Sequence, residues 1–557
     1  MNKIKYLFLV LFLSFISPVL LLGQTNPHEM LIPPWSGSNY LNDVIVGDTT
    51  ATGARVDPDR IYLLQRDGVY FVNTPIRNTD WELNLKAQDG TGRRPVIFLV
   101  KNTTTGNNPA AFLQVAGNIW LRNIIISGIL EADTSSFSLM QGQLIGTNQA
   151  GKDIVIDSCI LTNSNGNHIR TDQAARVMKI TNTIFANMGY LGRSNLGAGK
   201  AIDVRAVSCD TLLLVNNTFV NFQDRIIRHF NSTAAINNFI FDHNTIINGM
   251  SYHGTIVLGI VGDKVKITNN LFIDPFALGN DTDYVRQAEF NESGELDPIG
   301  NRRMTWIFSV NNDVTNWQIS NNYYSISDSG QAFYNRHAAA GVTGEGSPLT
   351  WHINSRLGTD SVNAFTKQST QLNNIPKLMT AMMDWYRRPV ELGGAGKTKA
   401  TTNFDRLLYD YDRKGWQYLS DTMDCAYSTA LPAYTASQGG FPLGDLNWFP
   451  TKKQEWEIWV TDVNDPDFYP SSFSLNQNYP NPFNPSTKIS FNLSNAGKTS
   501  LSVFNVLGQK VATLIDKELT EGYHEVQFDA STLSTGVYFY KLESGNNLEI
   551  KKMMLLK

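Results

Sequence analysis

A chain of 557 residues, 42% apolar and 17% charged, has the composition of an ordinary globular protein and room for two to four domains. Its formal net charge of −4 excludes an overall attraction to nucleic acid or to an acidic polymer, so any basic site must be local. The three cysteines, Cys159, Cys209 and Cys425, are too few and odd in number for a disulfide framework, and no spacing suggests zinc or an iron–sulfur cluster. Buried free thiols are expected, with Cys159 and Cys209 able to approach each other if they lie in adjacent repeats.

Residues 1–23 read as a secretory signal. Lys3 and Lys5 supply the positive end and Tyr6–Leu22 the apolar run, broken by Pro18. The competing reading is an uncleaved anchor, but the run is short and polar sequence follows at once. No later stretch is long enough to cross a bilayer, so no membrane span is expected in the mature chain. From residue 24, IYLLQRDGVYFVN, WELNLKAQDG and RPVIFLVKN read as short strands separated by Gly, Asp and Asn turns.

One phrase then repeats: NIWLRNIIISG, IVIDSCILTN, VMKITNTIFAN, LLLVNNTFVN, FIFDHNTIIN, VKITNNLFID, WQISNNYYS. Each copy is a short apolar run, a polar hinge and a second apolar pair. With Asn123, Ser158, Asn182, Asn217, Asn244, Asn270 and Asn322 as hinges, the separations are 35, 24, 35, 27, 26 and 52 residues. A period of this size means one supersecondary unit stacked on its neighbours. The copies are rich in Ile, Val, Phe and Thr and lack helical spacing, which predicts β-strands. An Asn recurring at one corner of every coil can bond to the Asn above and below. This pattern resembles the right-handed parallel β-helices of the pectate-lyase-like superfamily, with their internal asparagine ladder. Insertions at Tyr190–Lys200 and Asp281–Arg303 lengthen two coils, and such loops often carry function.

The expected fold class is therefore all-β: a right-handed parallel β-helix over residues 24–330, then a small C-terminal Ig-like β-sandwich. Between them, residues 331–462 read as an irregular cap on the last coil, with one amphipathic helix in NNIPKLMTAMMDWYRR beginning near Pro376. Residues 463–472 read as a linker. The stretch Phe473–Lys557 contains YPNPFNPST, SLSVFNVLGQKVATL, GYHEVQFDAS, STGVYFYKLESG and IKKMMLLK, six or seven short strands joined by turns. It closely resembles the type A C-terminal sorting domain of the type IX secretion system of Bacteroidetes-like bacteria, with Phe504 where that family more often has Tyr. The resemblance implies a partner, the secretion machinery, and delivery to the outside or the outer-membrane surface. It says nothing of what the cargo does.

Counted back from the hinges, Arg170 and Arg205 each lie 12 residues before Asn182 and Asn217, and Arg228 lies 16 before Asn244. If that last turn is four residues longer, the three guanidiniums form one column, about 5 Å apart. Around them fall His168, Asp172, Lys200, Asp203, Asp224, Arg225, His229 and His253. A column of Arg forks suits a row of carboxylates or sulfates, which an acidic polysaccharide presents. Cleaving a uronate by β-elimination needs its carboxylate neutralised, its C5 proton removed and the leaving oxygen protonated. Arg170, Arg205 and Arg228 are candidates for the first task, and Lys200, His229 or His253 for the base. His168, Asp203 and Arg225 would line the substrate. Calcium stays open as a cofactor, with no ligands assigned.

FDHNT, at Phe241–Thr245, is similar to a pectate-lyase motif but lacks its Trp, and DRIIR lacks the proline of the family's arginine motif. RIIRH and GKAIDVR faintly resemble phrases of alginate and chondroitin lyases. Three readings stand side by side: a secreted polysaccharide lyase, a non-catalytic carbohydrate-binding or adhesive β-helix, and a structural surface protein. Arg residues each paired to Asp along a flat face favour the last two; a free Lys or His in a groove favours the first.

Overall fold

The computed structural model describes residues 27–557, except 129–141, 190–194, 230–232, 281–283, 291–303, 311–313, 343–345, 400–422, 463–472, 476–477, 479, 494–496, 520–521 and 546. The signal expected at 1–23 and much of both insertions lie outside the described residues.

The repeats wind into a right-handed parallel β-helix of three all-parallel sheets, two of ten strands and one of nine. One coil shows the plan. Lys152–Asp157 belongs to sheet 1, Ile160–Ser164 to sheet 3 and Asn167–Thr171 to sheet 2; Ala175–Thr181 then returns to sheet 1 one coil on. Like stacks on like because each strand pairs in register with the next coil. Ile145, Ile169, Ile202, Ile227, Ile256 and Ile307 form one inward column of sheet 2. Phe185 and Phe219 stack at 5.0 Å in the same core. Such columns remove β-branched and aromatic surface from water, the main favourable term in folding.

The corner between sheets 1 and 3 holds the predicted ladder, with a correction to its register. The left-handed residues are Asn123, Ser158, Asn182, Asn216, His243, Asn269 and Asn321, with φ between 49° and 60°. The ladder proper is the residue after each. Asn217, Asn244, Asn270 and Asn322 are fully buried, and each passes Oδ1 back to the main-chain N–H and side-chain amide of the Asn one coil before; Asn217 itself serves the N–H of Thr183. The seven hinges chosen from sequence therefore mix two positions: the first three are left-handed corners and the last four are ladder residues.

A second ladder runs through sheet 3. Asn163, Asn187, Asn221 and Asn248 all have φ between 52° and 59°; the last three amides each donate to the preceding Oδ1 at 3.1 Å, and that of Asn163 to Ser127 Oγ at 3.4 Å. Asn tolerates the left-handed region, and its amide is both donor and acceptor, so identical residues chain without a terminal mismatch.

Both ends of the core are closed. The helix Leu41–Gly47 contributes Leu41 and Ile45, and the helix Trp351–Leu357 contributes Ile353 and Leu357. Beyond residue 330, Ser347–Leu349 and Phe365–Lys367 still join sheets 2 and 3. The amphipathic helix expected from Pro376 spans Thr380–Arg387, because the Pro376 carbonyl is instead taken by the Asn248 amide at 2.8 Å. Another helix, Pro450–Asp462, lies in the stretch read as irregular cap. Rather than sitting only on the last coil, this part of the chain runs back along the solenoid. Trp456 and Val460 pack on Leu213, Val215 and Ile240 of sheet 1, while the Leu446 N–H and the Asn447 amide bond to the outward Oδ1 atoms of Asn216 and Asn182.

Residues 474–555 form two antiparallel sheets. One holds Ser474–Leu475, Ser486–Leu493 and Gly522–Asp529; the other holds Gly497–Asn505, Lys510–Leu519, Gly536–Ser544 and Asn547–Leu555. Phe491, Leu501, Val503, Tyr540 and Leu542 share the core between them. Among the described residues no helix is long and apolar enough to cross a membrane. The three cysteines are free and buried. Cys159 follows the corner residue Ser158, whereas Cys209 starts a sheet 1 strand level with Ala175, so the two do not share a column.

Candidate functional site

The candidate residues fall on the strands of sheet 2 and on the turns at either end of them: Asp224, Arg225 and His253 before the strands, Asp172 and Arg205 after them. Strand register decides who meets whom. Arg170 is level with Asp203, and Asp203 with Arg228. The expected column of three guanidiniums is thus a row of Arg, Asp and Arg. Arg205 lies just past the strand end, beyond the Val204 that pairs with Thr171. The sequence count failed for two reasons: Asn182 is a left-handed corner residue whereas Asn217 is a ladder residue, one step further round, and the turn between Val204 and Cys209 is one residue longer than that between Thr171 and Ala175.

Three carboxylates organise the cluster. Asp172 sits under Arg170, which donates from Nε to both of its oxygens at 2.9 and 3.1 Å, with Arg205 Nε 3.9 Å away. These two arginines are about one third exposed, and the hydrogen bonds to Asp172 push the Arg170 guanidinium further up from its ordinary value. Asp203 is buried and takes Arg228 Nε at 2.7 Å and Nη2 at 3.3 Å, with the Asn167 amide at 3.4 Å. Burial lowers the Arg228 value, against Asp203, which raises it.

Asp224 is the innermost. Its Oδ2 lies 2.9 Å from Lys200 Nζ and 3.0 Å from Arg225 Nε, and its Oδ1 lies 2.6 Å from His253 Nδ1. All four side chains are at most 8% exposed. Burial alone would raise the Asp224 carboxyl, but Arg225, Lys200 and His253 outweigh it and hold it well below the usual range. Lys200 also donates to the Gly197 carbonyl. Burial lowers its ammonium, Asp224 opposes that, and Arg225 and Arg228 add to it.

The remaining histidines are placed otherwise than expected. His229 is buried with Nδ1 2.7 Å from the Leu258 carbonyl and Nε2 3.2 Å from the Val207 carbonyl. With both ring nitrogens turned to main-chain carbonyls, the ring presents neither to a substrate proton. His168 is in the core, stacked on Phe185 at 5.8 Å, with neither ring nitrogen hydrogen-bonded; burial pushes it down to about 3. It cannot line a substrate. The short apolar strand around it hid this, because NHIRT gives no sign of which face His168 takes. Sequence reasoning also passed over Asn167, Tyr252 and Arg286, although Arg286 lies in an insertion whose length was the available signal. Among the described residues, His28, Asp57 and Asp59 are the one His and carboxylate group close enough to share an ion, and they lie at the N-terminal end, far along the chain from this cluster. No calcium ligand set emerges in the cluster itself, where the carboxylates already face cations.

No curated protein and no solved structure matches the chain. Residues 477–556 match the family model described as a secretion system C-terminal sorting domain, which makes this chain a secreted or cell-surface β-helix protein addressed by a type IX secretion tail.

Proposed function

We propose that the outer side of sheet 2 binds an acidic polysaccharide outside the cell and does not cleave it. The observation that carries this reading is the commitment of every candidate base. Lys200 and His253 are tied to Asp224, and His229 to main-chain carbonyls. What faces outward is Arg170 and Arg205 over Asp172, beside the row continued by Arg228. Arg170 and Arg205, each about one third exposed, can meet carboxylates of a polyuronate with the edges that Asp172 does not take. The Asp partners keep the forks in place without a ligand.

One observation favours the lyase reading as second: burial lowers the Lys200 ammonium, the direction a base needs. One experiment tests both. The full chain is passed over immobilised alginate, polygalacturonate and chondroitin sulfate, and incubated with each in solution, with and without calcium. Retention without the ultraviolet absorbance of an unsaturated product is expected. Appearance of that product replaces binding by β-elimination, and loss of both retention and product on all three polymers removes the polysaccharide reading.

A further inference from the structure

The turn that carries His253 closes on itself through the Gly254 N–H and the Ser251 carbonyl at 3.2 Å, and it is also tied to its surroundings. Ser251 has φ 51° and Gly254 φ 100°, and a serine in the left-handed region is held there by its surroundings. Ser251 Oγ bonds to the Pro275 carbonyl at 2.6 Å, which anchors one end. The Tyr252 N–H bonds to the Gln223 carbonyl at 3.3 Å, and a further anchor comes from the insertion. Its short helix, Tyr284–Glu289, bears Arg286, a side chain with no exposed surface. The guanidinium donates to the carbonyls of Gly279 at 2.7 Å, Tyr252 at 3.1 Å and Ser251 at 3.3 Å. The rings of Phe276, Tyr252 and Phe290 surround it at 5.2, 5.8 and 5.9 Å. Burying a guanidinium is costly unless its donors are used, and here three of them grip the main chain on the N-terminal side of His253 and at Gly279. On the ring side, Gly197 lies so close that a Cβ there would come within 3.1 Å of His253 Cε1.

We propose that Arg286 is a positioning residue for the glycan-binding face: by fixing the Ser251–Gly254 turn it holds His253 on Asp224 Oδ1, which leaves Oδ2 to Lys200 and Arg225. The inserted helix thereby sets the charge arrangement of a site it does not enter. This rests on the polysaccharide reading only for its effect on binding; the effect on His253 stands apart. The Tyr252 ring lies 4.7 Å from the His253 ring and 5.9 Å from Lys399 Nζ.

The test uses the full chain carrying nitrogen-labelled histidine. The Nδ1–H proton bonded to Asp224 should resonate far downfield, and His253→Gln assigns it by its loss. In Arg286→Met that signal should vanish or move upfield, and retention on immobilised polygalacturonate should weaken about tenfold, by analogy with the groups that support metal ligands from behind. Arg286→Lys keeps the charge but cannot reach three carbonyls, so its signal should lie between the two; it also decides the matter if the Met variant fails to fold. A downfield proton unchanged in the folded Met variant, or in the Lys variant, overturns the proposal. If the proton responds while the unaltered chain is not retained on the polymer, the positioning role stands and the polysaccharide reading falls.

Discussion

Arg228 reaches one coil back to Asp203, closing a two-point contact at 2.7 and 3.3 Å with a carboxylate that is only 3% exposed. A pair this buried contributes little as a pair but is costly to break from one side. Arg228→Ala should therefore destabilise the chain by about 3–5 kcal/mol. Arg228→Met combined with Asp203→Asn should recover most of it. Urea unfolding followed by the amide signal of the β-helix checks this, and equal losses in the single and the double variant would contradict it.

At the surface the balance differs. Arg170 and Arg205 share Asp172, which is 45% exposed, so their contribution to stability is about 0–1 kcal/mol. Arg170→Ala with Arg205→Ala should leave the melting temperature nearly unchanged and abolish retention on polygalacturonate. Added salt should weaken retention of the unaltered chain in the same way, because exposed charges are screened. Retention by the double variant equal to that of the parent would move the binding face elsewhere.

The ladder has its own test. Asn244 donates to the Leu214 carbonyl at 2.9 Å and accepts from both the N–H and the amide of Asn217 at 3.0 Å. Asn244→Ala leaves several buried groups unpaired and should cost about 3 kcal/mol. Asn244→Thr should cost less, since Thr183 already fills the same place in its coil and its hydroxyl meets the Cys159 N–H. Thermal melts of the two variants rank them.

His168 predicts an acid-side loss. Burial takes its imidazole from 6.5 in the unfolded chain to about 3 in the fold. The folded state thus excludes the proton that the unfolded chain accepts. The contribution is whole above pH 6.5 and is lost progressively as pH falls toward 3. His168→Phe, which extends the stack on Phe185, should raise the melting temperature increasingly below pH 6. A constant gap between variant and parent from pH 7 to pH 4.5 would refute the buried-imidazole account.

Asp445 predicts the opposite sign. Its carboxyl is buried against sheet 3, accepting from Thr218 Oγ1 at 2.8 Å, the Asn447 N–H at 2.9 Å and the Asn447 amide at 2.6 Å. Desolvation outweighs these bonds and raises it from 3.8 to about 6. Its folded value lies above the unfolded one, so the stability it lends is full below pH 3.8 and is lost as pH rises through 6. Asp445→Asn should flatten that part of the pH profile. Melting temperatures taken between pH 4 and pH 7 would show it, and parallel profiles would dispose of the idea.

Much of the architecture was legible because a solenoid writes its period into the chain. An Asn at or just after most corners, and Ile, Val and Phe on either side, recur wherever a coil repeats the same local geometry, and the sorting sandwich announces itself through turns such as YPNPFNPST. That information is local, so it reads directly. Register is not. Asn182 and Asn217 are the same residue type with different jobs, one a left-handed corner and the other a ladder rung, and that mismatch, added to a turn one residue longer before Cys209 than before Ala175, makes a row of Arg, Asp and Arg look like a column of three Arg.

The sequence by itself determined that the chain is a parallel β-helix ending in an export address, and that its ionisable residues crowd one stretch of coils. Only the tertiary structure decided which of those residues are spent on one another. The lengths of the turns set which strand positions stack, and burial, which depends on what the returning C-terminal segment and the inserted helix cover, converts a Lys or His from a free base into half of an ion pair.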